Sequence, residues 1–99
     1  MKRMKVLLGC LLVLGMLFPV VSSADVLDEI LKRGVLHVGM EPGYMPFEMT
    51  NQRGEIIGFD VDVAKRMANA MGVKLELVST AWDGIIPALL TDKFDIIMS

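Results

Sequence analysis

Beyond residue 24 the apolar positions switch between two spacings, one of three to four residues and one of two. Val26, Leu27, Ile30 and Leu31 recur at the helical interval, acidic Asp28 and Glu29 come early, Lys32 and Arg33 come late, and Gly34 follows as a stop. This predicts a short docking helix. Residues 35–40 form a β-branched and apolar run containing a lone His37, and the loop Glu41-Pro-Gly-Tyr-Met-Pro-Phe47 breaks it with two prolines and a glycine. Residues 47–50 and 55–58 flank Asn51-Gln-Arg-Gly54, which predicts a hairpin with a four-residue connection.

Residues 60–71 carry the strongest helical pattern. Val61, Ala64, Met67, Ala68 and Met71 share one face, Asp60 is placed to cap the start, Gly72 ends the helix, and Asp62 with Arg66 forms an outward i, i+4 pair. Alternation over 74–78 predicts a strand and the run 82–90 a helix, with Pro87 placed near its first turn. The short apolar run 94–98 predicts a third strand. Strand, helix, strand, helix, strand, with connections long enough for crossovers, gives an α/β fold of two right-handed βαβ units on a parallel sheet. In such sheets a ligand sits beyond the carboxyl ends of the strands, where the winding reverses. If the first strand is central, that place is formed by residues 41–47 and by Ser99.

The first 24 residues have a different character. Lys2, Arg3 and Lys5 precede an apolar stretch over 6–21, and Ser22-Ser23-Ala24 places small residues at the third and first positions before a cut. Residues 1–24 are therefore expected to be a cleaved signal peptide, with the mature chain starting at Asp25. The apolar stretch contains Pro19 and falls short of the roughly 20 residues a spanning helix needs. Cys10 follows a lipobox-like Leu-Leu-Gly but has too few apolar residues before it, so it is expected to be an ordinary apolar position. Setting the leader aside leaves seven basic and twelve acidic residues in 25–99, which disfavours a nucleic-acid partner. Seventy-five residues are marginal for a complete α/β core, so residues 25–99 are expected to be the opening part of a larger domain.

Catalytic constellations are sparse in this sequence. His37 has no cysteine or second histidine to share a metal with, and Asp60 and Asp62 are spaced so that they do not face each other on a helix. Gly54 and Gly58 lack the spacing of a phosphate loop. No cofactor, no metal and no enzymatic activity are expected. Glu41, Tyr44 and Trp82 suggest something else: aromatic rings give a small ligand an apolar wall, and a carboxylate in the same mouth can pair with an ammonium group. Phe47 is expected to be a packing residue.

The segment Gly58-Phe-Asp-Val-Asp-Val-Ala-Lys-Arg-Met-Ala-Asn-Ala-Met71 resembles the signature of the bacterial extracellular solute-binding proteins, family 3. Gly34-Val-Leu-His-Val-Gly39, Tyr44-Met-Pro-Phe47, Trp82-Asp-Gly-Ile-Ile-Pro-Ala-Leu89 and Lys93-Phe-Asp-Ile-Ile97 agree with it in order and spacing. The resemblance covers essentially all of 25–99. It implies a type II periplasmic-binding-protein clamshell whose two lobes close on a free amino acid and present it to the permease of an ABC transporter, residues 25–99 being the first βαβαβ part of lobe one. It further implies a periplasmic, monomeric full-length protein, with Glu41, Tyr44 and Trp82 lining the cleft and Ser99 opening the segment that holds the ligand. In the family an arginine shortly after that segment grips the ligand's carboxylate. The same module also resembles those of certain periplasmic dehydratases, lytic transglycosylases and sensor kinases, which leaves enzymatic and signalling alternatives.

Overall fold

A computed structural model describes residues 25–99; the leader, Cys10 and the expected cut after Ala24 lie outside the described residues. The elements in chain order are α1 (Asp25–Arg33), β1 (Val35–Met40), β2 (Met49–Thr50), β3 (Ile56–Ile57), α2 (Phe59–Met71), β4 (Lys74–Ser79), α3 (Trp82–Leu90) and β5 (Ile96–Ile97). β1 is the central strand of a three-stranded sheet ordered β4-β1-β5, parallel on both sides, with Leu36 beside Leu75 and Val38 beside Ile96. The fold is the α/β arrangement expected from the element order. It builds part of one lobe. β2 and β3 form a separate antiparallel hairpin with Met49 opposite Ile57.

Alternation along β1 decides what each face of the sheet meets. Leu36, Val38 and Met40 are buried in one cluster with Val61, Ala64 and Ala68 of α2 and Ile30 of α1, and Leu75, Leu77 and Ile96 pack against it from the neighbouring strands. Small Ala64 and Ala68 let the helix approach the sheet closely. On the other face Gly39 leaves room for the Phe94 ring, which a methyl group at residue 39 would overlap. α3 contributes the buried Ile85. Because β1 is flanked by strands reached through α2 in one direction and α3 in the other, right-handed crossovers place these helices on opposite faces.

Several local expectations need correction. Asp60 makes no cap: α2 begins one residue earlier, with Gly58 at the N-cap position and no side-chain cap bond. Asp62 and Arg66 form no ion pair, since long exposed side chains gain little from holding one geometry. Met67 is exposed, the buried stripe being Val61, Ala64 and Ala68, and on α1 only Ile30 is buried while Val26, Leu27 and Leu31 remain about half exposed. Pro87 is the sixth residue of α3, so its missing N–H falls inside the helix and not in the first turn. The last strand shortens to two residues, and the hairpin connection is tightened by Asn51, whose Oδ1 accepts from the N–H groups of Arg53 and Glu55. Gly72 ends α2 as foreseen, in the left-handed conformation that glycine adopts without strain.

Candidate functional site

The carboxyl ends of β1 and β5 are tied side by side. Thr80 N–H donates to Met40 O at 2.9 Å and Met98 N–H to Gly39 O at 3.0 Å, so the chain leaving each of the three strands emerges at one edge. Glu41 directly follows β1, and Ser99 lies two residues beyond β5. Trp82 is the first residue of α3, three positions after β4. An open cavity of about 500 Å³ lies there, lined by Glu41, Gly43, Tyr44, Trp82 and Ser99. This is the place where the winding of the sheet reverses, with α2 on one side and α3 on the other.

Tyr44 is held by a compact loop. Its carbonyl accepts from the N–H groups of Phe47, at 2.9 Å, and Glu48, at 2.8 Å, and its ring stacks on Phe47 at 5.2 Å between centroids. Phe47 in turn meets Phe59 edge-on at 6.2 Å. The packing role expected for Phe47 is thus a local one, carrying Tyr44 from behind. Tyr44 and Trp82 remain more than half exposed, at 59% and 57%. Two aromatic faces and one carboxylate around an open cavity can hold a small molecule that carries both apolar surface and positive charge.

The loop is joined to α2 by close backbone contact. Phe59 N–H donates to Pro46 O at 3.2 Å and Asp60 N–H to Phe47 O at 3.0 Å. Gly58, at φ 134°, makes this possible, since any Cβ there would run into the Phe47 carbonyl.

Glu48 is the residue that sequence reasoning missed. It is wholly buried, the one charged side chain so placed among the described residues, and Ser99 Oγ donates to its Oε2 at 2.8 Å while Oε1 has no hydrogen-bond donor. Burial pushes its carboxyl above the usual value of 4.5; the Ser99 hydroxyl opposes the rise, and the neighbouring carboxyl of Asp60, followed by Glu41, reinforces it. Its signal was faint. An acidic residue between Phe47 and Met49 reads as the solvent side of a hairpin strand, whereas here the ring is at the surface and the carboxyl inside.

His37 stands apart from the cavity. Its Nε2 lies 3.1 Å from Glu76 and its backbone N–H donates to Asp95, as expected for a structural histidine. Asp95 also takes the Arg33 guanidinium. Among the described residues no group of three or more His, Cys, Asp or Glu side chains could hold a metal ion, and no helix is long and apolar enough to cross a membrane.

Comparison with known proteins agrees with this architecture. Residues 36–99 match the profile of the bacterial extracellular solute-binding proteins, family 3. The chain is 44% identical over 73 residues to a cyclohexadienyl dehydratase of Pseudomonas aeruginosa, covering 74% of this chain and 27% of that one. It is 39% identical over 64 residues to the histidine-binding periplasmic protein of Escherichia coli, covering 65% and 25%. Among solved structures, a protein described as the binding component of an ABC transporter from Wolinella succinogenes, complexed with lysine, superposes with a TM-score of 0.66. It is 67% identical, over 68% of this chain and 29% of that one. The chain thus spans roughly a quarter to a third of the length of the relatives it matches. With the parallel β4-β1-β5 sheet, the crevice at its carboxyl edge and a profile match over 64 of its 99 residues, the chain belongs to the bacterial extracellular solute-binding proteins, family 3.

Proposed function

We propose that the protein captures a free amino acid with a basic side chain in the periplasm and passes it to the permease of an ABC transporter, residues 25–99 being the first part of the first lobe. The observation that carries this is the convergence of Glu41, Tyr44, Trp82 and Ser99 on one open cavity at the carboxyl edge of the sheet. The two rings offer cation–π and apolar contact, Glu41 offers a charge partner, and Ser99 a hydroxyl. Relatives whose names record lysine or histidine as the bound molecule support the choice of a basic amino acid. Export through the leader 1–24 follows from the charge and apolar pattern of that segment.

Calorimetric titration of the full-length gene product against a panel of free amino acids tests the proposal. Saturable binding of lysine, arginine or histidine is expected, and Glu41→Gln should weaken these more than it weakens a neutral amino acid. Absence of binding to any member of the panel would overturn the assignment. The 44% identity to a dehydratase favours a second reading, in which the same crevice holds a cyclohexadienyl compound and removes water from it. Turnover of such a compound by the full-length protein, without amino-acid binding, would establish that alternative.

A further inference from the structure

Glu48 lies behind the cavity wall rather than in it, and nothing in the proposed function uses it. Its side chain is 0% exposed, Ser99 Oγ donates to Oε2 at 2.8 Å, and Asp60 at the start of α2 is its acidic neighbour. Ser99 itself faces the cavity. A hydroxyl has one proton and two lone pairs. Once the proton is committed to Glu48, only lone pairs remain for whatever occupies the cavity.

We propose that Glu48 is a positioning residue for this site: by taking the Ser99 proton it makes Ser99 an obligate acceptor, so that the hydroxyl favours a ligand N–H, as in an ammonium group, over a ligand carboxylate. The inference rests on the cavity being the ligand site. It does not require Glu48 to touch the ligand. Burial explains why the arrangement is sharp, since a carboxyl oxygen cut off from water gains more from Ser99, its one donor among the described residues, than an exposed oxygen would. The crowding of Glu48, Asp60 and Glu41 also explains why a positive group is the natural guest, because acidic groups close together in a partly dry place favour a cation nearby.

The test compares lysine affinity by calorimetry with ligand-free thermal stability for the full-length protein and its variants. Glu48→Gln keeps an acceptor for the Ser99 proton and should hold lysine affinity within about threefold, whereas Glu48→Met removes the acceptor and should weaken it about tenfold, the size of one hydrogen bond in a desolvated place. Ser99→Ala should cost a similar factor, and the double variant Glu48→Met with Ser99→Ala should bind no worse than Ser99→Ala alone. A folded Glu48→Met protein with wild-type affinity, or losses that multiply in the double variant, would overturn the inference. If Glu48→Met does not fold, Glu48→Gln decides: retained affinity supports the role, and a tenfold loss contradicts it. Wild-type protein that binds no amino acid at all overturns the proposed function instead, and the two failures are therefore distinct.

Discussion

The two ends of the parallel sheet are built on opposite principles. At the amino end Asp95 accepts from the His37 N–H at 2.9 Å and from the Arg33 guanidinium, Arg33 also donates to Val35 O at 3.0 Å, and His37 meets Glu76. There the Asp95 carboxylate, partly buried, is met by an opposite charge, Arg33, and by a backbone donor from the same chain. At the carboxyl end three acidic groups, Glu41, Glu48 and Asp60, stand together with no basic partner within 4 Å among the described residues, and the cavity-lining rings of Tyr44 and Trp82 are more than half exposed. Asp95 is thus satisfied from within the chain. The other end holds hydrogen-bonding and charge capacity that the described residues do not take up, which is what the proposed ligand site requires.

If this contrast is right, substitutions at the two ends should separate cleanly in full-length protein. The largest effect belongs to Trp82→Ala, which should lower affinity for a basic amino acid by roughly ten- to a hundredfold with little change in melting temperature, since the ring is over half exposed. Unchanged affinity with a markedly lowered melting temperature would move Trp82 to the structural side of the comparison. Next comes Asp95→Ala, which leaves the His37 N–H without its acceptor and the Arg33 guanidinium with the Val35 carbonyl alone. Arg33 is partly solvated and its share is discounted, so about 1 to 2 kcal/mol of stability should be lost, by denaturant titration, with affinity unchanged.

The smallest effect sharpens the comparison through pH. A buried acid with a raised folded-state pKa contributes stability that is complete below 4.5 and declines as pH climbs from there, because the unfolded chain ionises first while folded Glu48 keeps its proton. The decline ends once pH has passed the folded value. Glu48→Gln should flatten this limb of the melting-temperature profile. Asp60 and Glu41 face the same carboxyl and are present in both proteins, so the difference between the two profiles isolates residue 48. An identical limb in both proteins would show that Glu48 ionises as freely when folded as when unfolded.

How much of this was legible in the sequence depended on whether the deciding interaction was local. α2 and β1 were, because Val61, Ala64 and Ala68 and the run 35–40 announce their own periods. The central place of β1 was no more than a condition in the sequence reading, because right-handed crossovers fix which face a helix covers and leave the order of the strands open. The gathering of Glu41, Tyr44, Trp82 and Ser99 came from that topology together with the family resemblance. Glu48 and Asp60 were not legible. A carboxyl in a hairpin and an aspartate at a helix start both have ordinary local uses, and only the distant Ser99, 51 residues on, gives Glu48 a different one. Pro87 was misplaced for a milder reason: its neighbours fix that a helix exists there more firmly than where its first turn lies.

The backbone seam at Gly58 has a consequence for how such a crevice can diversify. The loop that presents Tyr44 is fastened to α2 through main-chain atoms, Pro46 O and Phe47 O accepting from Phe59 and Asp60, so its course depends on few of its own side chains. Tyr44, Met45 and Gly43 can then be exchanged with the loop's path preserved, much as type is changed in a fixed frame. The side chains lining the crevice are then the inserts, and the backbone seam is the frame that holds its shape. The one position denied this freedom is Gly58 itself, where any side chain would strike the Phe47 carbonyl and spring the frame open.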